Sequence, residues 1–347
     1  MPVDSINYSS AAQRRVFSNI VSIAGENPSD NTALTAIFEE LRILFPWVAI
    51  SLSVYDPLKR QHKTALSEGY SEKNIDYLNN AYLNNDPAYR WMKKSGRSFF
   101  NWQSTDFDYS KSVSATKFWI PSGFRGGSTN YLTTRDNRYV GNLHVSTDKS
   151  KYPTIEDLRF IDDISSLLSA FLDVWREPRA LLNSLTTDES AFFLDFKGQA
   201  HPIPGNPECE IRDLQKLAGS AVANSGSCAG LGVLNQRLPP SCWYTHGESV
   251  RLVSFKICNQ GVFVTHKWSA FPNSLTQRQA EVCSLLALGL TSHEVAEALM
   301  LSTRTVDSHV EHIFDKIGAK NRIELAYFSI TAGLINLSDY VRYSQSN

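Results

Sequence analysis

The stretch LTQRQAEVCSLLALGLTSHEVAEALMLSTRTVDSHVEHIFDKIGAKNRIEL, residues 275–325, sets short apolar stripes between glycine stops and has no period-two segment. It therefore reads as helices alone. Glu281-Val282, Leu285-Leu286 and Leu288 give the inner stripe of a first helix stopped by Gly289, and a second runs from about Ser292 to Leu299 around Val295 and Ala296. Leu301-Ser302 makes the turn. Ser302 is placed to cap a third helix that buries Val306, Val310, Ile313, Phe314 and Ile317 before Gly318 ends it. Two helices joined by a short turn, the second with a polar outer face, is helix-turn-helix geometry.

That outer face carries Arg304, Ser308, Glu311, His312 and Asp315, with Asp307 at its edge, and residues 275–325 hold five basic residues against seven acids. A net charge of −1 over 347 residues gives no global attraction to nucleic acid, so any DNA affinity has to come from a local surface. Two readings of the acids stand open. In one, Arg304 bonds a guanine while Asp307 or Glu311 accepts from cytosine N4. In the other, the face is solvated and Asp307 merely orients Arg304 three residues away.

Upstream the pattern changes. Leu34, Ile37, Phe38, Leu41, Leu44 and Phe45 repeat at helical spacing over 31–45, with Asp30 or Asn31 as a cap. Val48, Ile50, Leu52 and Val54 then alternate with Ala49, Ser51 and Ser53, a half-buried strand that Asp56-Pro57 ends. Strands recur at 130–134 and 139–146, and Thr154 with Asp157 caps a helix whose stripe runs on to Trp175. From about 180 to 270 the residues AFFLDF, RLVSFKI and GVFVTHKW read as strands around a loop rich in Gly, Pro, Ser and Asn (HPIPGNPE, NSGSCAGLG) and a short helix at IRDLQKLAG. Pro272-Asn273-Ser274 reads as a linker, and no sequence repeat is evident. The expected fold is multidomain: an α+β sensor over 1–178, a second small α+β domain or spacer over 179–271, and an all-α four-helix domain over 272–347.

With 42% apolar residues the chain can bury real cores. It has no apolar run near the roughly 18 residues of a membrane span, and the start MPVDSINYSS lacks a signal-peptide layout, so a cytoplasmic location is expected. Five cysteines, odd in number and without a C-x-x-C pair, read as reduced packing residues and not as a disulfide framework or zinc site. With no nucleophile–base set, phosphate loop or metal cluster in view, neither an enzyme nor a metal cofactor is expected.

The 275–325 stretch resembles the LuxR-type helix-turn-helix domain at Leu275-Thr276, Arg278, Glu281-Val282, Gly289, Glu294, Ala296, Ser302, Thr305-Val306, His309, Lys316, Gly318 and Asn321-Arg322. The resemblance implies a module that dimerises through its last helix and lays its third helix in the major groove of double-stranded DNA. Contacts are then expected from Thr303, Arg304, Thr305, Asp307, Ser308, Glu311, Lys316, Lys320 and Arg322. The chain departs from the family's Glu at Gln279, Asn at Ser292 and Lys at His293 and Asp307, and the missing lysines remove some phosphate-binding charge.

The stretch YLNNAYLNNDPAYRWMKKSGRSFFNWQS, 77–104, resembles the autoinducer-binding domain of quorum-sensing LuxR receptors, a sheet-plus-helices fold akin to GAF and PAS sensors, and PSGFRGG (121–127) resembles a glycine-rich turn of both groups. The resemblance implies a ligand cavity lined by Tyr77, Tyr82, Asp86, Trp91 and Trp102. Lys73 stands where that family has the tryptophan that bonds a lactone carbonyl. The expected effector is therefore not a lactone but another small apolar molecule with a polar or anionic head. The function implied is a ligand-responsive, homodimeric transcription regulator acting on a pseudo-palindromic operator. The alternative is a sensor or interaction protein whose C-terminal helices mediate association.

Overall fold

The structure is a computed structural model that describes residues 11–26, 31–44, 47–103, 105–206, 211–225, 238–246 and 249–343. The chain divides into two compact units, Met1–Val174 and Trp175–Asn347. The expected cap Asp30, core residue Phe45, thiols Cys209 and Cys228, and residues 207–208 and 226–232 of the expected loop lie outside the described residues.

The first unit runs α1 (Ala11–Glu26), α2 (Asn31–Arg42), β1 (Ala49–Asp56), β2 (Gln61–Glu68), α3 (Glu72–Asp76), α4 (Tyr82–Asn85), α5 (Pro87–Ser95), β3 (Phe99–Asn101), β4 (Gly126–Thr133), β5 (Tyr139–Thr147) and α6 (Ile155–Leu172). Its antiparallel sheet has the order β2-β1-β5-β4-β3. One face meets α1, α2 and α6 through Val16, Ile20, Ile37, Phe38, Leu41, Ile50, Leu52, Leu143, Val145, Ile161 and Ile164. The other is roofed by the segment from α3 to residue 124, which brings Tyr77, Leu78, Tyr82, Met92, Phe100, Tyr109, Trp119 and Phe124 onto it.

This second layer overturns the half-buried reading of β1. Ser51 and Ser53 are as fully buried as Ile50 and Leu52, because β1 lies inside a sheet covered on both sides. Thr154 caps α6 as a full capping box, yet that helix stops at Leu172, short of Trp175, which begins the second unit.

The second unit runs α7 (Arg176–Leu182), β6 (Glu189–Asp195), β7 (Ala200–His201), α8 (Arg212–Asn224), β8 (Ser241–His246), β9 (Ser249–Cys258) and β10 (Gly261–Trp268). It continues with α9 (Gln277–Ala287), α10 (Ser292–Leu299), α11 (Thr303–Ile317), α12 (Arg322–Thr331) and α13 (Leu337–Tyr343). Its sheet order, β7-β6-β10-β9-β8, repeats the topology of the first sheet although the sequences share no repeat. The α+β reading of both sheet regions and the all-helical reading of 275–335 hold.

Sheet and helices close on one another within this unit. Trp243 of β8 donates its backbone N–H to Ile335 O at 2.9 Å and its indole N–H to Leu334 O at 3.2 Å, and meets Phe271 edge-on. Its ring packs in the core of α9 to α12, with Val282, Leu285, Val306 and Ile313. Ile335, Leu337 and Tyr340 return the chain to the sheet's own core against α8. Between the two cores Ser284 Oγ accepts from Asn336 N–H and donates to Asp339, both at 2.9 Å. No helix among the described residues is long and apolar enough to cross a membrane. Cys242, Cys258 and Cys283 are buried free thiols.

Candidate functional site

In the first unit a small space lies between the sheet and its roof, lined by Tyr70, Tyr82, Trp102, Tyr109, Trp119 and His144 among others. The volume open to the centre of a water molecule is about 20 Å³, enough for a water or two. The roof over it contains two π-helical turns, Tyr77–Ala81 and Ala115–Trp119. Such turns break the regular backbone ladder and are frequent at functional sites.

Asp86 sits behind this space and is fully buried. Its position follows from local rules: a residue before proline is held extended, and an aspartate there caps a helix whose first residue is proline. Asp86 caps α5 accordingly, accepting from Ala88 N–H at 2.8 Å. Tyr77 OH donates to Oδ2 at 3.0 Å and Tyr109 OH to the same oxygen at 3.1 Å. Tyr109 in turn accepts from Trp119 Nε1 at 3.0 Å and Ser114 Oγ at 3.2 Å. Burial pushes the Asp86 carboxyl above its ordinary range, against these bonds, which pull it down. Burial and the Asp86 charge push the Tyr109 hydroxyl well up, so it stays a donor.

Of the five expected lining residues, Tyr82 and Trp102 face the space, while Tyr77 and Asp86 belong to the bonded network behind it. Trp91 stands apart, against Phe100 and under the Arg97 guanidinium. Lys73 lies over the Phe118 ring, which stacks on Tyr77 at 4.1 Å.

In the second unit, α11 begins at the cap Ser302, whose Oγ accepts from Thr305 N–H at 3.1 Å, and ends at Gly318 with φ 71°. Val306 and Ile313 are buried. Thr303, Arg304, Thr305, Asp307, Ser308, Glu311, His312 and Asp315 are exposed. Lys316 is tied down: its Nζ donates to Ser274 O at 2.7 Å and to Gln279 Oε1 at 2.9 Å. Asn273 Nδ2 returns a bond to Lys316 O at 3.0 Å, so residues 272–274 form a turn fastened to the end of α11.

Residues 273–329 match the family of bacterial regulatory proteins, luxR family. The C-terminal helices are a luxR-family domain. Beyond it, the chain is 24% identical over 168 residues, 48% of its own length and 74% of the relative's, to the probable csgAB operon transcriptional regulatory protein of Salmonella typhimurium. It is 36% identical over 61 residues to the oxygen regulatory protein NreC of Staphylococcus aureus, spanning 18% of this chain and 28% of that one. Among solved structures, the GAF domain of a phosphoenolpyruvate-protein phosphotransferase from Coxiella burnetii aligns at 16% identity and TM-score 0.39, over 49% of this chain and 99% of that one. Escherichia coli SdiA aligns at 18% identity and TM-score 0.32, over 93% and 97% of the two chains.

A luxR-type helix-turn-helix implies DNA as the partner of residues 273–329 and transcription regulation as their role. Within the luxR-family domain, Thr303, Arg304, Thr305, Asp307, Ser308 and Glu311 of α11 are all exposed. Among the described residues nothing pairs with the Arg304 guanidinium, and the Arg304–Asp307 ion pair weighed from the sequence is not formed. Lys320 is exposed, and Arg322 donates to Ser292 Oγ at 2.5 Å. In the first unit the sequence reading missed Tyr70, Tyr109, Ser114, Trp119 and His144. Tyr109, Ser114 and Trp119 fall in a polar-looking stretch with no period, and only its density of aromatics hinted at a core.

Proposed function

We propose that the chain is a ligand-responsive, homodimeric transcription regulator. An effector in the first unit alters the dimer arrangement, and α11 reads a pseudo-palindromic operator in the major groove. The observation that carries this reading is the exposed, unpaired Arg304 near the start of a helix in a luxR-family domain. Arginine forks onto guanine O6 and N7, and residues early in a recognition helix reach base edges. The dimer is supported by Ile323, Tyr327 and Ile330, an apolar stripe on α12 left 81%, 71% and 40% exposed. A symmetric partner covers such a stripe. Coupling requires only that effector bind one dimer arrangement better than another.

Arg304→Ala is expected to cost about 1–3 kcal/mol at one base position, roughly 5- to 150-fold in affinity, and to relax preference there. Competition binding against duplexes varied at single positions reads this. A uniform loss across all sequences would make Arg304 a phosphate contact instead. The acids on α11 favour a second reading, association without DNA. That reading predicts an affinity indifferent to salt, whereas groove binding falls steeply with it.

A further inference from the structure

The sheet face beneath the aromatic roof is polar, buried and unsatisfied. Cross-strand partners share a face, and β1 and β5 pair Ser51 with His144 and Ser53 with Asn142, making one square of adjoining side chains. All four are at most 3% exposed. Among the described residues, Ser51 Oγ, Ser53 Oγ, both polar atoms of Asn142 and His144 Nε2 have no hydrogen-bond partner. His144 is aimed by Thr129 Oγ1 on its Nδ1 at 2.9 Å, with Tyr82 edge-on above it, and it lines the small space under the roof. Of the four only His144 lines the space, and Ser51, Ser53 and Asn142 continue the same sheet face beyond its lining. Buried polar groups are nearly always paired, so this cluster of orphans marks where a ligand supplies the bonds once the roof opens over it.

We propose that Ser51, Ser53, Asn142 and His144 form the hydrogen-bonding floor for an uncharged ring compound bearing a carboxamide or hydroxyl group, and that Asp86 supports the walls instead of meeting the ligand. The inference rests on the reading of the first unit as the effector-binding one, and it names the effector's chemistry. The floor offers a donor and an acceptor side by side on Asn142 and adaptable hydroxyls on Ser51 and Ser53, which a carboxamide complements. Among the described residues no lysine or arginine lines the space, and Asp86 lies behind it, so an anionic head finds no counter-ion there. Burial drives His144 down to about 3, which keeps its ring neutral and adds no cation. A cationic head gains little from Asp86, because Tyr77, Tyr109 and Ala88 already occupy its oxygens. Tyr70, Tyr82, Trp102, Tyr109 and Trp119 give flat walls suited to a ring. The ring enters as the π-helical turns of the roof move outward, since the closed space is far smaller than a ring.

The full-length chain is titrated with three probes of similar size, benzamide, benzoate and ethylbenzene, by ligand-detected NMR, together with the Asn142→Leu and Ser53→Ala variants. Benzamide is expected to bind, and benzoate and ethylbenzene at least about tenfold more weakly. Asn142→Leu is expected to lose about tenfold for benzamide while the unliganded protein melts no lower than wild type, because an unpaired amide has been replaced by an apolar group of similar size. Ser53→Ala, which deletes one hydroxyl and almost no volume, is expected to weaken benzamide in the same direction. Equal binding of benzoate or ethylbenzene, or undiminished benzamide binding in both variants, would overturn the polar floor and leave the effector-binding reading standing. Binding of none of the three probes would overturn both.

Discussion

Trp243→Ala is expected to destabilise the second unit by about 3–5 kcal/mol, the range for removing a large buried aromatic from a core. The indole packs among the helices of the luxR-family domain while its backbone stands in β8. Its loss also leaves the Leu334 carbonyl without its 3.2 Å partner. The damage should spread to both parts, because residues 334–340 run from the helical core into that of the sheet. Hydrogen exchange read by mass spectrometry checks this. Protection should fall together over β8–β10 and α9–α12 in Trp243→Ala. Helices that kept wild-type protection while the sheet lost it would show that the two fold independently.

The second large effect is placed at Asp86. Deleting its carboxylate strands Tyr77 OH, Tyr109 OH and Ala88 N–H together in a buried site and removes the α5 cap. Bonds to a charged group contribute about 1.5–3 kcal/mol each, with strong overlap within one network, so Asp86→Ala is expected to cost the first unit about 3 kcal/mol or more. Scanning calorimetry should show the first unit's transition lowered by roughly 6–12 °C, using about 2–4 °C per kcal/mol for a domain of this size. Unchanged stability with loss of ligand response alone would return Asp86 to the role of ligand anchor.

The same residue fixes the sign of a pH effect. Its folded carboxyl titrates above the ordinary value, so the folded unit holds the proton more tightly than the unfolded chain. That contribution to stability is present below the unfolded value of about 3.9 and is lost as pH rises through the folded one. The melting temperature of Asp86→Asn relative to wild type should therefore climb as pH is raised from about 4. A difference that is flat or falls with pH would contradict the raised value.

What was legible in the sequence was local. The Thr154–Asp157 box, the Ser302 cap and the Gly289 and Gly318 stops each involve residues within one turn, and each is present. Helix α1 was not singled out, since among its described side chains only Val16, Ile20 and Gln13 are fully inward and the stripe is thin. The serines of β1 looked like an outward face because alternation reports one covered side and is silent about a second layer. Asp86 drew attention through resemblance, but its bond from Tyr109 spans 23 residues, and the Trp243–Leu334 bond spans 91. No periodicity reaches across such distances. On α11 the acids were visible, and the structure adds that Arg304 is not consumed by them.

Regulation of transcription by this chain requires α11 to face base pairs. Selection of randomised duplexes by the purified full-length chain at low ionic strength tests this most directly, with Arg304→Ala carried in parallel. Enrichment of a two-fold symmetric sequence by wild type, with degeneracy appearing at one symmetric base position in Arg304→Ala, is the predicted result. A wild-type pool that stays random after repeated rounds would contradict it and leave the C-terminal helices as an association surface.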